Sequence, residues 1–231
     1  MKIEILQLLD GARKAGGLTV IIDVFRAFST ACYVTDKGAG PIYPTGAIED
    51  AFRLKREIPR AILVGERNER PPEGFDFGNS PYLICSADIK NRPVIHTTSS
   101  GTQGIVNAVN AVEIITGSFV NAGAIVRYIR LQNPAKVSLV CMGYACQYPT
   151  DEDTLCAEYI RNELTGKNSD WPAMRQKMRE GSGARFFAPS SQFWAPKEDF
   201  DMCLHRIRFD FVLKVKENEG LLYLHKIEIP V

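Results

Sequence analysis

The sequence lacks the motifs of the best-known enzymes that transfer phosphate or hydrolyse its esters. Only three histidines occur among 231 residues, and none belongs to an Arg-His-Gly triplet, so a phosphohistidine mechanism has no support. No cysteine is followed by five residues and an arginine, and no Gly-x4-Gly-Lys-Ser/Thr loop is present. The segment after Asp23 has no second acid of the haloacid-dehalogenase type. These absences exclude a tyrosine-phosphatase loop and a P-loop.

The sequence also has little net charge and no long apolar run. A net charge of +1 gives no electrostatic reason to expect nucleic acid or an anionic membrane as a partner. No apolar stretch approaches the ~20 residues that a membrane helix needs, and residues 1–5 lack a signal-peptide profile. The six cysteines are scattered, and Cys141 and Cys146 lack the second Cys/His pair of a structural zinc site. We therefore expect buried thiols in a globular cytoplasmic protein.

Apolar strands alternate with helical segments over residues 1–166. The predicted buried strands lie at residues 18–22, 61–64, 93–96, 112–116 and 137–141. Such near-continuous apolar strands, with helices between them, are typical of a mainly parallel sheet that is covered on both faces. We predict one α/β domain over residues 1–231, built as three layers, α/β/α.

Residues 167–231 follow a different pattern. A helix is predicted at 171–180 and a flexible Gly-rich joint at 181–183. The apolar runs at 209–215 and 221–227 flank Glu217-Asn218-Glu219-Gly220, and this favours a β-hairpin because Asn and Gly accept positive φ. We expect this C-terminal hairpin extension to pack on the core.

A long polar segment, residues 65–81, follows the apolar run at 61–64. Its acids, arginines, glycines and prolines would make an unusually long connection unless the segment is functional or disordered. Phe75 and Phe77 argue against disorder, since solvated linkers rarely carry aromatic residues. An ordered loop here presents carboxylates beside arginines, which suits a hard cation and an anionic substrate together. The alternative is a structural loop with surface ion pairs.

Sites in parallel α/β sheets form beyond the carboxyl ends of the strands. The polar residues that follow the predicted strands are Asp23 and Arg26, then Glu66, Arg67 and Asp76, then Thr97 to Thr102 with Gly101 among them, then Ser118 and Asn121, and lastly Asp151, Glu152 and Asp153. A hydroxyl-rich turn that opens a helix can supply donors to an anion, although helix capping needs only one such residue. The acids at 151–153 fit either metal binding or the favourable macrodipole of a first helical turn.

Six blocks of the sequence resemble one family. The blocks are residues 20–27, 65–67, 74–81, 97–102, 117–122 and 152–157. In order and spacing they are similar to the 2-phosphosulfolactate phosphatase family of coenzyme M biosynthesis. The resemblance implies an α/β hydrolase that uses Mg²⁺ to release phosphate from 2-phospho-3-sulfolactate. Another small 2-phospho-hydroxy acid as substrate, and a non-catalytic phosphometabolite-binding domain, remain alternatives.

The resemblance and the positions after the strands together predict a role for each polar residue. The predicted catalytic residues are Asp23, Glu66 and Asp76, and the predicted Mg²⁺ ligands are Asp23, Glu66, Asp76, Glu152 and Asp153. The predicted substrate-binding residues are Arg26, Arg67, Thr98, Ser99, Ser100, Gly101, Thr102, Ser118 and Asn121. Attack by water bound to the cation and attack by Asp23 are both open. The expected partner is a small anionic phosphoester, and a homodimer is allowed.

Overall fold

The computed structural model describes residues 1–230, which form a nine-stranded sheet with helices on both faces. The strands are β1 (Lys2–Gln7), β2 (Gly17–Ile22), β3 (Ile42–Thr45), β4 (Ile62–Gly65), β5 (Val94–Thr97), β6 (Ala111–Gly117), β7 (Lys136–Cys141), β8 (Phe211–Asn218) and β9 (Leu221–Glu228). The helices are α1 (Leu8–Lys14), α2 (Ala27–Asp36), α3 (Ile48–Glu57), α4 (Pro81–Cys85), α5 (Gly101–Asn107), α6 (Ala122–Gln132), α7 (Asp151–Thr165), α8 (Trp171–Glu180) and α9 (Lys197–Cys203). This confirms the predicted α/β class.

The sheet consists of two parallel sets joined by an antiparallel hairpin. Its strand order is β1-β7-β2-β6-β8-β9-β3-β5-β4. The first four strands are parallel to one another, as are the last three, and the hairpin β8–β9 lies between the two sets. The hairpin therefore lies inside the sheet and joins its two halves, whereas the sequence predicted an extension that packs on the core.

Side-chain alternation along the strands builds a separate core on each face. On β2, Val20 and Ile22 pack into the cluster that includes α6, α7 and α9, whereas Ile21 packs into the cluster with α2 and α5. Leu63 of β4 enters a third cluster under α3. Because a strand buried on both faces needs apolar residues at every position, this arrangement explains the continuous apolar runs. No helix within residues 1–230 is both long and apolar enough to span a bilayer.

A buried ion pair fixes α9 to the turn after β2. Arg26 Nη1 lies 2.7 Å from Asp199 Oδ2, and the two side chains are only 3% and 0% exposed. The other carboxylate oxygen of Asp199 accepts bonds from Ser80 Oγ at 2.8 Å and from the Tyr82 N–H at 2.9 Å. Asp199 thus joins three segments that are distant in sequence.

Asp199→Ala should destabilise the fold strongly, because it leaves the guanidinium of Arg26 buried without a counter-charge. Removal of one partner of a buried pair costs about 3–5 kcal/mol. Asp201→Ala is the matched control, since Asp201 lies on the same helix and forms an exposed pair with Arg175, where about 1 kcal/mol or less is expected. Urea unfolding measures both losses, and similar values for the two variants would contradict the structural role of Asp199.

Candidate functional site

A cavity opens where the carboxyl ends of the two parallel sets face each other. The space within it, counted together with the open solvent at its mouth, is about 510 Å³. The lining residues are Asp23, Phe25, Arg26, Glu66, Asn68, Glu69, Asn79, Ser99, Ser100, Gly143, Tyr144, Ala145, Thr150, Glu152 and Arg185. Because they follow β2, β4, β5 and β7 or come from the C-terminal region, the cavity depends on the whole sheet for its shape.

Asp23 is the buried acid of this cavity. It follows β2 directly, and its carboxylate is held from two sides: Oδ1 accepts the Ala27 N–H at 3.1 Å and Oδ2 accepts the Gly101 N–H at 2.8 Å. The pKa of Asp23 is raised to about 7, first by burial and then by the charges of Glu66 and Glu152, against the two N–H bonds that lower it. The side chain therefore has a fixed orientation and an ionised form that is costly without a cation nearby.

Gly101 is required for this contact because a side chain would occupy the same space. A Cβ at Gly101 would lie 2.9 Å from Asp23 Oδ2 and 2.9 Å from the Ala27 Cβ. Only glycine lets the backbone at the start of α5 approach the carboxylate so closely.

Glu66 is the second acid of the cavity and follows β4. Its Oε1 accepts the Ser99 N–H at 2.6 Å, and its Oε2 accepts Ser99 Oγ at 3.1 Å and the Glu69 N–H at 3.0 Å. The hydroxyl-rich turn after β5 thus binds anions, but in this structure they are the protein's own carboxylates. Ser99 and Ser100 line the cavity, whereas Thr98 and Thr102 are buried and bond to each other.

The first turn of α7 supplies two buried acids with different surroundings. Asp153 accepts the Val24 N–H and the Gly143 N–H, each at 2.8 Å, and so ties together the loops after β2 and β7. Glu152 lines the cavity, and its buried Oε2 has no hydrogen-bond partner within residues 1–230. Burial raises the pKa of Glu152, and the positive charge of Arg185 opposes that rise, as do the nearby hydroxyls of Ser182 and Thr150. Asp153 is therefore placed to shape the site, and Glu152 to face a ligand.

Several predicted site residues do not reach the cavity. Asp76 pairs with Lys55 Nζ at 2.8 Å and accepts the Leu63 N–H at 2.7 Å, which fixes it beside α3. The guanidinium of Arg67 donates to the carbonyls of Glu66 and Gly46 and to Thr97 Oγ1.

Ser118 and Asn121 also lie apart from the cavity. Both are buried, and together they form the capping box of the 3-10 turn after β6. Their polar groups therefore cap the 3-10 turn, whereas the sequence analysis predicted that they bind the substrate.

Arg26 lines the cavity but is already bonded to the protein. Besides Asp199, it donates to the carbonyl oxygens of Trp194 at 2.6 Å and Glu69 at 3.3 Å. Its role as a substrate anchor, predicted from the sequence, would require that some of these bonds be given up.

Arg185 and Glu69 are the charged cavity residues that the sequence analysis did not assign to the site. Arg185 lies in a 3-10 turn, Ala184–Phe187, directly after the predicted flexible joint. That joint is packed, because a Cβ on Gly183 would lie 2.6 Å from the ring of Phe200. Arg185 contacts the loop after β2 through a bond from its Nη2 to the Phe25 carbonyl. Because these two residues are about 160 positions apart, no local sequence pattern could predict the contact.

The cavity has more negative than positive groups. Asp23, Glu66, Glu69 and Glu152 line it, against Arg26 and Arg185. A bound cation would offset the repulsion between these acids and a phosphate ester.

The donor set fits Mg²⁺, although no cage is preformed. Carboxylate oxygens are its preferred protein ligands, and Glu152 Oε2 is a buried acceptor without a partner. No group of three or more His, Cys, Asp or Glu side chains converges at metal-binding spacing within residues 1–230. Mg²⁺ is commonly held by one or two carboxylates together with water and substrate phosphate, and such a site needs no closed protein cage.

The comparisons with known proteins agree with the family predicted from the sequence. The family model described as 2-phosphosulpholactate phosphatase matches residues 4–218. A probable 2-phosphosulfolactate phosphatase of Bacillus subtilis (strain 168) is 29% identical over 233 residues, which cover 99% of this chain and 100% of the relative. Proteins of the same name from Carboxydothermus hydrogenoformans and Thermotoga maritima are 37% and 34% identical, over 69% and 63% of this chain and 66% and 63% of theirs. The match over nearly the whole length confirms the predicted family, and with it a phosphoric monoester hydrolase: this chain belongs to the 2-phosphosulpholactate phosphatase family.

Proposed function

We propose that the protein hydrolyses the phosphate ester of 2-phospho-3-sulfolactate to 3-sulfolactate and phosphate, and that it requires Mg²⁺. The observation that carries this proposal is the convergence of Asp23, Glu66 and Glu152, from three distant parts of the chain, on one cavity. The printed names of the relatives supply the substrate. A domain that only bound a phosphorylated metabolite would have no need for a buried acid with a raised pKa.

Mg²⁺ would neutralise phosphate charge and orient the phosphoryl group for in-line attack. Asp23 and Glu152 are the residues that we propose to hold it. Glu66, with three N–H and O–H donors already on its carboxylate, holds Ser99 and the 66–69 turn in place.

Asp23 has two roles open to it, and both require its ionised form. As a general base it takes a proton from the attacking water; the water oxygen bonds to phosphorus, the ester bond breaks, and a proton is gained by the leaving oxygen. As a nucleophile it would bond to phosphorus while the ester bond breaks and the leaving oxygen gains a proton from solvent; water would then hydrolyse the resulting acyl phosphate, which releases phosphate and regenerates the carboxylate. In either role the bonds from Gly101 and Ala27 aim the carboxylate.

We expect phosphate release to stop in excess chelator and to return on addition of Mg²⁺. Phosphate release from 2-phospho-3-sulfolactate, 2-phospholactate and glycerol 2-phosphate would be measured with and without the metal. A second readout, independent of turnover, is calorimetric binding of Mg²⁺ to the wild type and to Glu152→Gln, where binding should weaken because one anionic ligand is lost. Full activity in chelator, with no bound metal by elemental analysis, would remove Mg²⁺ from the proposal.

Asp23→Asn should lower kcat by about 10²–10⁴-fold, because the amide can neither take up the proton nor attack phosphorus. Its NH2 group would also face one of the two N–H donors, so urea unfolding should show a loss of about 1–3 kcal/mol with the fold retained. The matched comparison is Asp76→Asn, which changes an acid on the neighbouring loop that lies outside the cavity. It should lose stability on the order of 1 kcal/mol, from its bonds to Lys55 and the Leu63 N–H, and keep most of its kcat. Equal kcat losses in the two variants would mean that Asp76 takes part in catalysis after all.

A further inference from the structure

The arginines predicted to bind the acidic groups of the substrate are not the ones available for it. Arg67 has its donors on backbone and on Thr97, and the guanidinium of Arg26 is buried against Asp199. Arg185, by contrast, is 20% exposed and lines the cavity. Its Nε is buried and has no hydrogen-bond partner in the part of the chain that the structure describes.

Arg185 is held by one carboxylate, that of Glu69. Its Nη1 lies 2.9 Å from Glu69 Oε1, and this pair is the only salt bridge that Arg185 forms with residues 1–230. Both side chains line the cavity and both are partly exposed, at 20% and 23%. Since both side chains reach the cavity, an incoming anionic group can take the place of the Glu69 carboxylate and keep the guanidinium paired.

The backbone of Glu69 stays fixed when its side chain leaves. Its N–H donates to Glu66 Oε2 at 3.0 Å, and its carbonyl accepts Arg26 Nη2 at 3.3 Å. The turn around it is closed by bonds between Arg67 and Arg70 in both directions. Release of the carboxylate from Arg185 therefore needs only a change of side-chain rotamer.

We propose that Arg185 binds an acidic group of the substrate other than its phosphate, and that Glu69 occupies the place of this group until the substrate arrives. The proposal rests on the proposed function and extends it to substrate selection. A carboxylate or sulfonate in the place of Glu69 can take charge-assisted N–H bonds from the Nη1 end of the guanidinium, in a planar geometry that lysine cannot reproduce. The enzyme would thereby select phosphoesters that carry a further acid.

The steady-state test compares Arg185→Lys on two substrates. 2-Phospho-3-sulfolactate carries both further acids, whereas glycerol 2-phosphate has the same secondary ester without them. KM for 2-phospho-3-sulfolactate should rise about tenfold or more, with a much smaller change for glycerol 2-phosphate, which has no acid besides its phosphate. 2-Phospholactate, which keeps only the carboxylate, shows which of the two acids Arg185 binds. Arg175→Lys is the control, because Arg175 pairs with Asp201 on the surface away from the cavity.

Glu69→Gln tests the displacement. If Glu69 competes with the substrate, this variant should lower KM for 2-phospho-3-sulfolactate by roughly twofold to fivefold, and the gain should vanish when it is combined with Arg185→Lys. An equal gain for glycerol 2-phosphate, or a higher KM, would overturn the competition.

Calorimetric binding of 3-sulfolactate separates this inference from the proposed function, because it needs no turnover. Binding that is lost in Arg185→Lys but kept in Arg175→Lys supports the inference even in a protein that releases no phosphate. Phosphate release by the wild type, together with equal effects of Arg185→Lys on all three esters, would overturn the inference and leave the phosphatase proposal standing.

Discussion

The carboxylate of Asp23 is bonded to both parallel sets of the sheet, and the geometry of the cavity depends on this contact. Asp23 ends β2 in one set, while the Gly101 N–H that it accepts lies beyond β5 in the other. Burial of a carboxylate is costly unless backbone donors and a partner charge compensate it. Since Gly101 provides one donor and permits the close approach, a displaced Asp23 would affect the cavity floor and the packing of α5 together.

Other backbone N–H groups around the cavity are likewise paired with carboxylates. The N–H groups of Ser99, Glu69, Val24 and Gly143 all serve carboxylates of the protein itself. Loops that would otherwise be free to move are thereby fixed by acids from other elements. The result is a set of loops fixed around a site with more acidic than basic side chains, and this balance is the reason for proposing a divalent cation there.

Sequence reasoning was most successful where the signal is local. Apolar runs, turn residues and caps located β2, β5, β7, α8 and the hairpin to within one to three residues, because burial on both faces and positive φ leave direct marks on composition. The short helices α4 and α9 carry too few residues for a periodic pattern. Asp23 and Glu66 could be proposed because they follow strands. Asp76 follows one too, but Lys55 binds it from a helix, and Arg185 reaches the cavity through tertiary contacts that no local pattern records.

The position of the hairpin has a consequence for how the protein is made. Strands β8 and β9 are synthesised after both parallel sets, yet they lie between them and contact each set through only a few paired residues. A nascent chain that has released β1 to β7 from the ribosome would hold two partial sheets, with β6 and β3 as unpaired inner edges. Such edges invite wrong pairing with other chains. The sheet that shapes the cavity is therefore completed only by strands that leave the ribosome after both parallel sets.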